Sequence, residues 1–125
     1  MANEVKVEAK LTFTKSGIDP VSRVNITAGG DLITQKSSGI IYVNRVQNIG
    51  TAAELIGIGD IVEIGWCWMK NIGTGIIAIR NGVAGVDVIE MEAGEMALFR
   101  AKSAASLYAI ADSGTIDLEY FFIDD

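Results

Sequence analysis

Residues 75–100 carry the reading that decides the fold: Gly75-Ile76-Ile77-Ala78-Ile79-Arg80-Asn81-Gly82-Val83-Ala84-Gly85-Val86-Asp87-Val88-Ile89-Glu90-Met91-Glu92-Ala93-Gly94-Glu95-Met96-Ala97-Leu98-Phe99-Arg100. Three apolar runs, Gly75 to Arg80, Val83 to Met91 and Glu95 to Arg100, are punctuated by the dipeptides Asn81-Gly82 and Ala93-Gly94. Such dipeptides favour turns, because glycine and asparagine tolerate backbone angles that other residues resist. Short apolar runs bounded by turn signals read as strands.

The same punctuation extends both ways. Downstream, Leu107 to Ala111 and Ile116 to Ile123 flank the turn dipeptide Ser113-Gly114. Upstream lie Ile61 to Met69 and the β-branched, aromatic run Ile40 to Val46, which fits a strand covered on both faces. From Glu4 to Thr14, Val5, Val7, Ala9, Leu11 and Phe13 alternate with polar residues, so one strand face is apolar and the other wet. Ser16 to Pro20 breaks that strand, Val21 to Ala28 supplies another, and Gly29-Gly30-Asp31 makes a tight turn. A short segment Leu32 to Gln35 and a loop Lys36 to Gly39 follow. Thr51 to Ile56 reads as a short helix, with Thr51 as cap and Glu54 closing a capping box. Ala101 to Ser106 reads equally as a helical turn or a loop. Eight or nine short strands, with at most one or two helical turns, make an all-β sandwich or barrel, joined mostly antiparallel. With no repeat and no linker, residues 1–125 are expected to form a single domain.

Composition narrows the function. The chain has 125 residues, net charge −6 and no histidine. The acidic balance argues against nucleic acid as a partner. Without histidine the commonest general base and the usual zinc ligand are missing, so an enzyme is not expected. The single Cys67 forms no intramolecular disulfide and, in an apolar run, reads as an inert buried thiol. The N-terminal residues lack a hydrophobic signal core, and no apolar stretch is long enough to span a bilayer. Neither a secretory signal nor a membrane partner is expected, and synthesis in a cytoplasm is.

Few residues invite chemistry. Gly57-Ile58-Gly59 and Gly73-Thr74-Gly75 lack the Lys-Ser/Thr pair of a phosphate loop and read as turns. Glu90, Glu92 and Glu95 read as a solvated strand edge, and Asp117, Glu119, Asp124 and Asp125 form a second acidic group. No spacing among them resembles an EF-hand loop, and no catalytic, metal or cofactor site is expected. Trp66 and Trp68 share one strand face, as core, as subunit contact or as a platform for sugar rings. Mean hydropathy is +0.35. Strands such as Gly75 to Ile79 and Glu119 to Ile123, apolar on both faces, ask for a second cover, which a homo-oligomer would supply.

From about Gly65 onward the sequence resembles small head-decoration or capsid-associated structural proteins of tailed bacteriophages. The resemblance is carried by Trp68-Met69-Lys70-Asn71 with Gly73-Thr74 and Ile76 to Ile79, and by Ala93-Gly94-Glu95 leading to Ala97-Leu98-Phe99-Arg100. It continues through Leu107-Tyr108-Ala109-Ile110-Ala111, Gly114-Thr115 and Asp117-Leu118-Glu119-Tyr120, with Val46 to Glu54 upstream. Together these cover roughly two-thirds of the chain; the first 45 residues match no such pattern. The resemblance implies a jelly-roll-like β-sandwich and a non-enzymatic virion role. The expected function is a capsid decoration or cement protein that binds across capsid subunits and stabilises the head. The expected partners are the major capsid protein or another virion protein and further copies of the chain, a trimer favoured. The alternatives are a tail, neck or fibre-base component and a carbohydrate-binding module using Trp66 and Trp68. Trp66, Trp68, Tyr120 and Phe122 are the expected contact residues, since aromatic anchors dominate interfaces.

Overall fold

The computed structural model describes residues 41–125 and, among the first forty, the strands β1 (Ala9–Phe13) and β2 (Val21–Asn25). The chain divides into two compact units, Met1–Lys36 and Ser37–Asp125. In the first, β1 and β2 pair antiparallel, from Phe13 opposite Val21 to Ala9 opposite Asn25. Both strands fall inside stretches expected to be strands. The readings at 4–8, 14–20 and 26–40 lie outside the described residues.

The second unit holds β3 (Tyr42–Ile49), β4 (Glu54–Leu55), β5 (Ile64–Asn71), β6 (Ile77–Asn81), β7 (Asp87–Met91), β8 (Met96–Arg100), β9 (Leu107–Ala111) and β10 (Ile116–Asp124). They form two four-stranded antiparallel sheets, ordered β3-β10-β5-β8 and β4-β9-β6-β7. The pairings β3–β10, β4–β9, β5–β8 and β6–β7 are nested. This unit is therefore one long hairpin, its tip between β6 and β7, rolled so that successive strand pairs alternate between sheets. Counted from β3, the orders are 1-8-3-6 and 2-7-4-5, a jelly-roll sandwich.

Period-two alternation fills the space between the sheets. Ile49, Cys67, Met69, Ile77, Ile79, Met91, Leu118, Tyr120 and Phe122 belong to one buried cluster. β10 lies between β3 and β5 and is buried on both faces from Tyr120 to Ile123, which explains its unbroken apolar run. β3, by contrast, is an edge strand with Asn44, Arg45, Val46 and Asn48 exposed, so the expectation that Ile40 to Val46 is covered on both faces does not hold.

The helix expected at Thr51 to Ile56 is also absent: a bend leads into β4, which pairs with β9. Six residues between glycines offer too few backbone bonds to offset helix nucleation, whereas the β9 edge supplies ladder partners at once. The Glu54 carboxylate does reach back, but it accepts the Gly50 N–H at 3.1 Å and the Gln47 amide at 3.1 Å. Ala101 to Ser106 is a loop with Ala104 at φ 64°.

β7 begins at Asp87, because the expected strand start at Val83 falls within the connection 82–86. Gly82 takes φ +80° there, and the Gly85 N–H bonds the Gly82 carbonyl at 3.2 Å. A Cβ on Gly85 would sit 2.1 Å from the Asn81 carbonyl oxygen, backbone against backbone, with no rotamer to relieve it. On Gly94, at φ +82°, a Cβ meets open space, so only the left-handed conformation penalises it. Gly94→Ala is expected to cost about 1–2 kcal/mol. Gly85→Ala should cost more, because the tip of the hairpin must reopen. Urea midpoints of the two variants check the order; equal losses would show that the Gly85 turn yields freely.

Candidate docking surface

The four expected contact residues occupy three environments. Tyr120 and Phe122 point into the core at 1% and 0% exposure, their rings 4.9 Å apart. The Tyr120 hydroxyl donates to the Gly57 carbonyl at 2.6 Å. Burial raises the Tyr120 pKa above its usual value, with Arg45 nearby opposing the shift. Trp68 lies on the other face of its sheet, opposite Phe121 in register, and is buried with Nε1 unpartnered. Trp66 is half-buried. Tyr120 and Phe122 are thus spent on internal packing, and the two indoles offer no exposed flat platform for a sugar.

Cys67 is also interior. Burial pushes its thiol up to about 12, only partly opposed by a backbone hydrogen bond from Ala101. A raised pKa keeps the folded thiol neutral while the unfolded thiol ionises from about 9. Its contribution to stability is therefore intact below pH 9 and lost as pH climbs towards 12, at about 1.4 kcal/mol per pH unit. Tyr120 acts with the same sign. The native protein is expected to resist thiol reagents at pH 8 and to react once unfolded. Rapid labelling of the native form would refute the buried assignment.

The acidic residues mostly serve the fold. Asp117 accepts the Asn48 amide at 2.9 Å, and Asp124 accepts the Val62 and Glu63 N–H groups at 3.2 and 3.1 Å. Asp125 pairs with Arg100, and Glu95 accepts the Glu92 N–H at 2.9 Å, pinning the β7–β8 turn. No group of three His, Cys, Asp or Glu side chains among the described residues is placed to hold a metal ion. No helix among them is long and apolar enough to cross a membrane.

Among the described residues Val62 and Val46 are exposed singly, whereas the exposed apolar residues that cluster lie on the sheet β4-β9-β6-β7 and its hairpin tip. Its outer face holds a shallow hollow of about 400 Å³, lined by Ile76, Ala78 and Ile110 with Asp87, Glu90 and Asp112. At the tip of the rolled hairpin, Val83, Val86 and Val88 are 58%, 81% and 75% exposed. Arg80, which reaches over this tip, is held by Asp87 at 2.7 Å and by the Val83 carbonyl at 3.2 Å. An apolar strip rimmed with carboxylates has the composition of a contact surface. Sequence reasoning read Glu90 as a strand edge, which is where it lies, but missed the valine strip because a continuous apolar run does not reveal which residues stay outside.

These features define an eight-stranded jelly-roll β-sandwich with an apolar, acid-rimmed surface at the hairpin tip. No protein-family model matches the chain, and no curated protein matches it either.

Proposed function

We propose that this chain is a non-enzymatic bacteriophage virion structural protein, a capsid decoration or cement protein that binds across neighbouring capsid subunits. The observation that carries the reading is the rolled-hairpin topology, an architecture that serves in viral capsid and lectin domains. The resemblance of the stretch from Gly65 onward to phage head-associated proteins supports the same reading. The exposed valines at the hairpin tip supply apolar contact area without a catalytic constellation beside them.

Such a protein binds the assembled lattice in preference to free subunits, so it stabilises the shell by mass action, about 2.7 kcal/mol per site at a hundredfold excess over Kd. Its partners are the major capsid protein or another virion protein, together with copies of itself. The test is to add the purified chain back to phage heads that lack it, then follow head melting and locate the bound chain by immunogold microscopy. Saturable binding on the head with a raised melting temperature is expected. Labelling confined to the tail or neck would move the chain there, and no binding to particles would end the virion reading.

A further inference from the structure

β7 closes one end of its sheet, with β6 on one side and no strand on the other among the described residues. At the end of β7 the Met91 carbonyl accepts the Asn71 amide at 2.9 Å, which ties the strand to β5 and leaves its outer edge clear. An unpaired edge is a template for another strand, and proteins usually blunt it. The opposite end of this sheet is blunted: β4 is only two residues long. In the other sheet, one terminal strand, β8, keeps Met96 to Phe99 half-buried, and the other, β3, sets the polar Asn44, Arg45 and Asn48 among its exposed residues. β7 instead presents Val88, with Val86 just before it, on the solvent side.

Two observations choose the occupant. A five-residue strand is about 17 Å long, so a second rigid sandwich abutting it along that line buries far less than the roughly 1,200 Å² of a stable dimer. An extended segment needs no such area, because main-chain hydrogen bonds hold it and the valines pack against its alternate side chains. Charge points the same way. Residues 41–125 carry five Lys or Arg against twelve Asp or Glu. Around β7 stand Glu90, Glu92, Glu95 and Asp112, while Arg80 is neutralised by Asp87. Two copies meeting at this edge bring like charges together; a basic segment complements them.

We infer that β7 is a docking strand for an extended segment of a partner protein whose outer-face side chains, every second residue, are first apolar and then Lys or Arg. The segment adds to the sheet edge, packs its apolar side chains on Val86 and Val88, and sets its basic ones against Glu90 and Glu92. This deepens the docking role proposed above and rests on it for the partner's place in the virion.

The experiment measures, by fluorescence anisotropy at physiological salt, binding of the full chain to a labelled octapeptide whose alternate residues on one face run valine, valine, lysine, lysine, with threonine between them. A second peptide has the same side chains and charge but N-methyl groups on alternate amides of the pairing edge. Losing three backbone donors is expected to weaken binding by about tenfold or more. Val88→Lys and Glu90→Lys, both at exposed positions, are expected to weaken it too while leaving the urea midpoint of the chain unchanged. Equal binding of both peptides would overturn the inference, since attraction would then be charge alone. Indifference to Val88→Lys and Glu90→Lys would overturn it as well. A doubled mass by light scattering that Val88→Lys abolishes would give the edge to a second copy. No peptide binding alongside successful add-back to heads would sink the docking strand alone. Peptide binding with no binding to particles would leave it standing and sink the decoration role.

Discussion

Replacing Asn71 with leucine is expected to remove about 3–5 kcal/mol of stability, although the two side chains branch alike and have equal numbers of heavy atoms. Asn71 is the one buried polar side chain among the described residues, at 0% exposure. It ends β5 where two loops meet. Its amide nitrogen donates to the Gly75 carbonyl at 2.7 Å and the Met91 carbonyl at 2.9 Å, and its carbonyl oxygen accepts the Gly73 N–H at 3.0 Å. Leucine leaves all three backbone groups without that partner, one buried and two partly buried, and an unsatisfied buried group costs about 1–3 kcal/mol. The main chain of Asn71 keeps its own bonds, to the Glu95 carbonyl at 2.9 Å and from the Gly94 N–H at 2.8 Å, so the loss isolates the side chain. Urea unfolding should show a lower midpoint with an unchanged slope, and the Gly73 amide should exchange faster with solvent. A loss below about 1 kcal/mol would mean that water replaces the amide, and that Asn71 does not tie the two loops together.

The local elements were legible because glycine leaves a local mark. The turns expected at Asn81-Gly82, Ala93-Gly94 and Ser113-Gly114 carry glycines at φ +80°, +82° and +59°. The strand order was not legible from local pattern. It depends on pairings such as Tyr42 with Ile123, which join the two ends of the sandwich and leave no trace in neighbouring residues. Thr51 to Ile56 has a helical cap pattern, yet the β9 edge prevails over local propensity there. Asn71 enters the sequence reading only within Trp68-Met69-Lys70-Asn71, not as a buried hub. A polar residue closing an apolar strand just before Gly73 is the signal that it has somewhere to bond. The contact residues were the least legible. In Tyr120-Phe121-Phe122-Ile123 every residue is apolar, so spacing says which side chains share a face but not which face meets the opposite sheet.

Phe122 puts that ambiguity to a measurement. As a docking anchor, Phe122→Ala would weaken binding and spare the fold; as a core residue it must do the reverse. Its ring is at 0% exposure, beside Tyr120 on its own strand and in register with Val43 on β3 and Cys67 on β5. Truncation removes the transfer free energy of the ring and leaves a cavity between sheets that cannot close without moving β10, the central strand of its sheet. The expected loss is about 3–5 kcal/mol, a large share of the roughly 5–15 kcal/mol that holds such a domain folded. Val88→Ala, at a site 75% exposed, should change stability by less than about 0.5 kcal/mol. The decisive comparison is particle binding normalised to the folded fraction from circular dichroism at the same temperature. Phe122→Ala should then bind as well as the unsubstituted chain for every folded molecule, with its defect confined to the melting curve. A binding defect that survives the normalisation, with the melting curve unmoved, would place Phe122 at the surface and reverse the assignment of the two faces of β10.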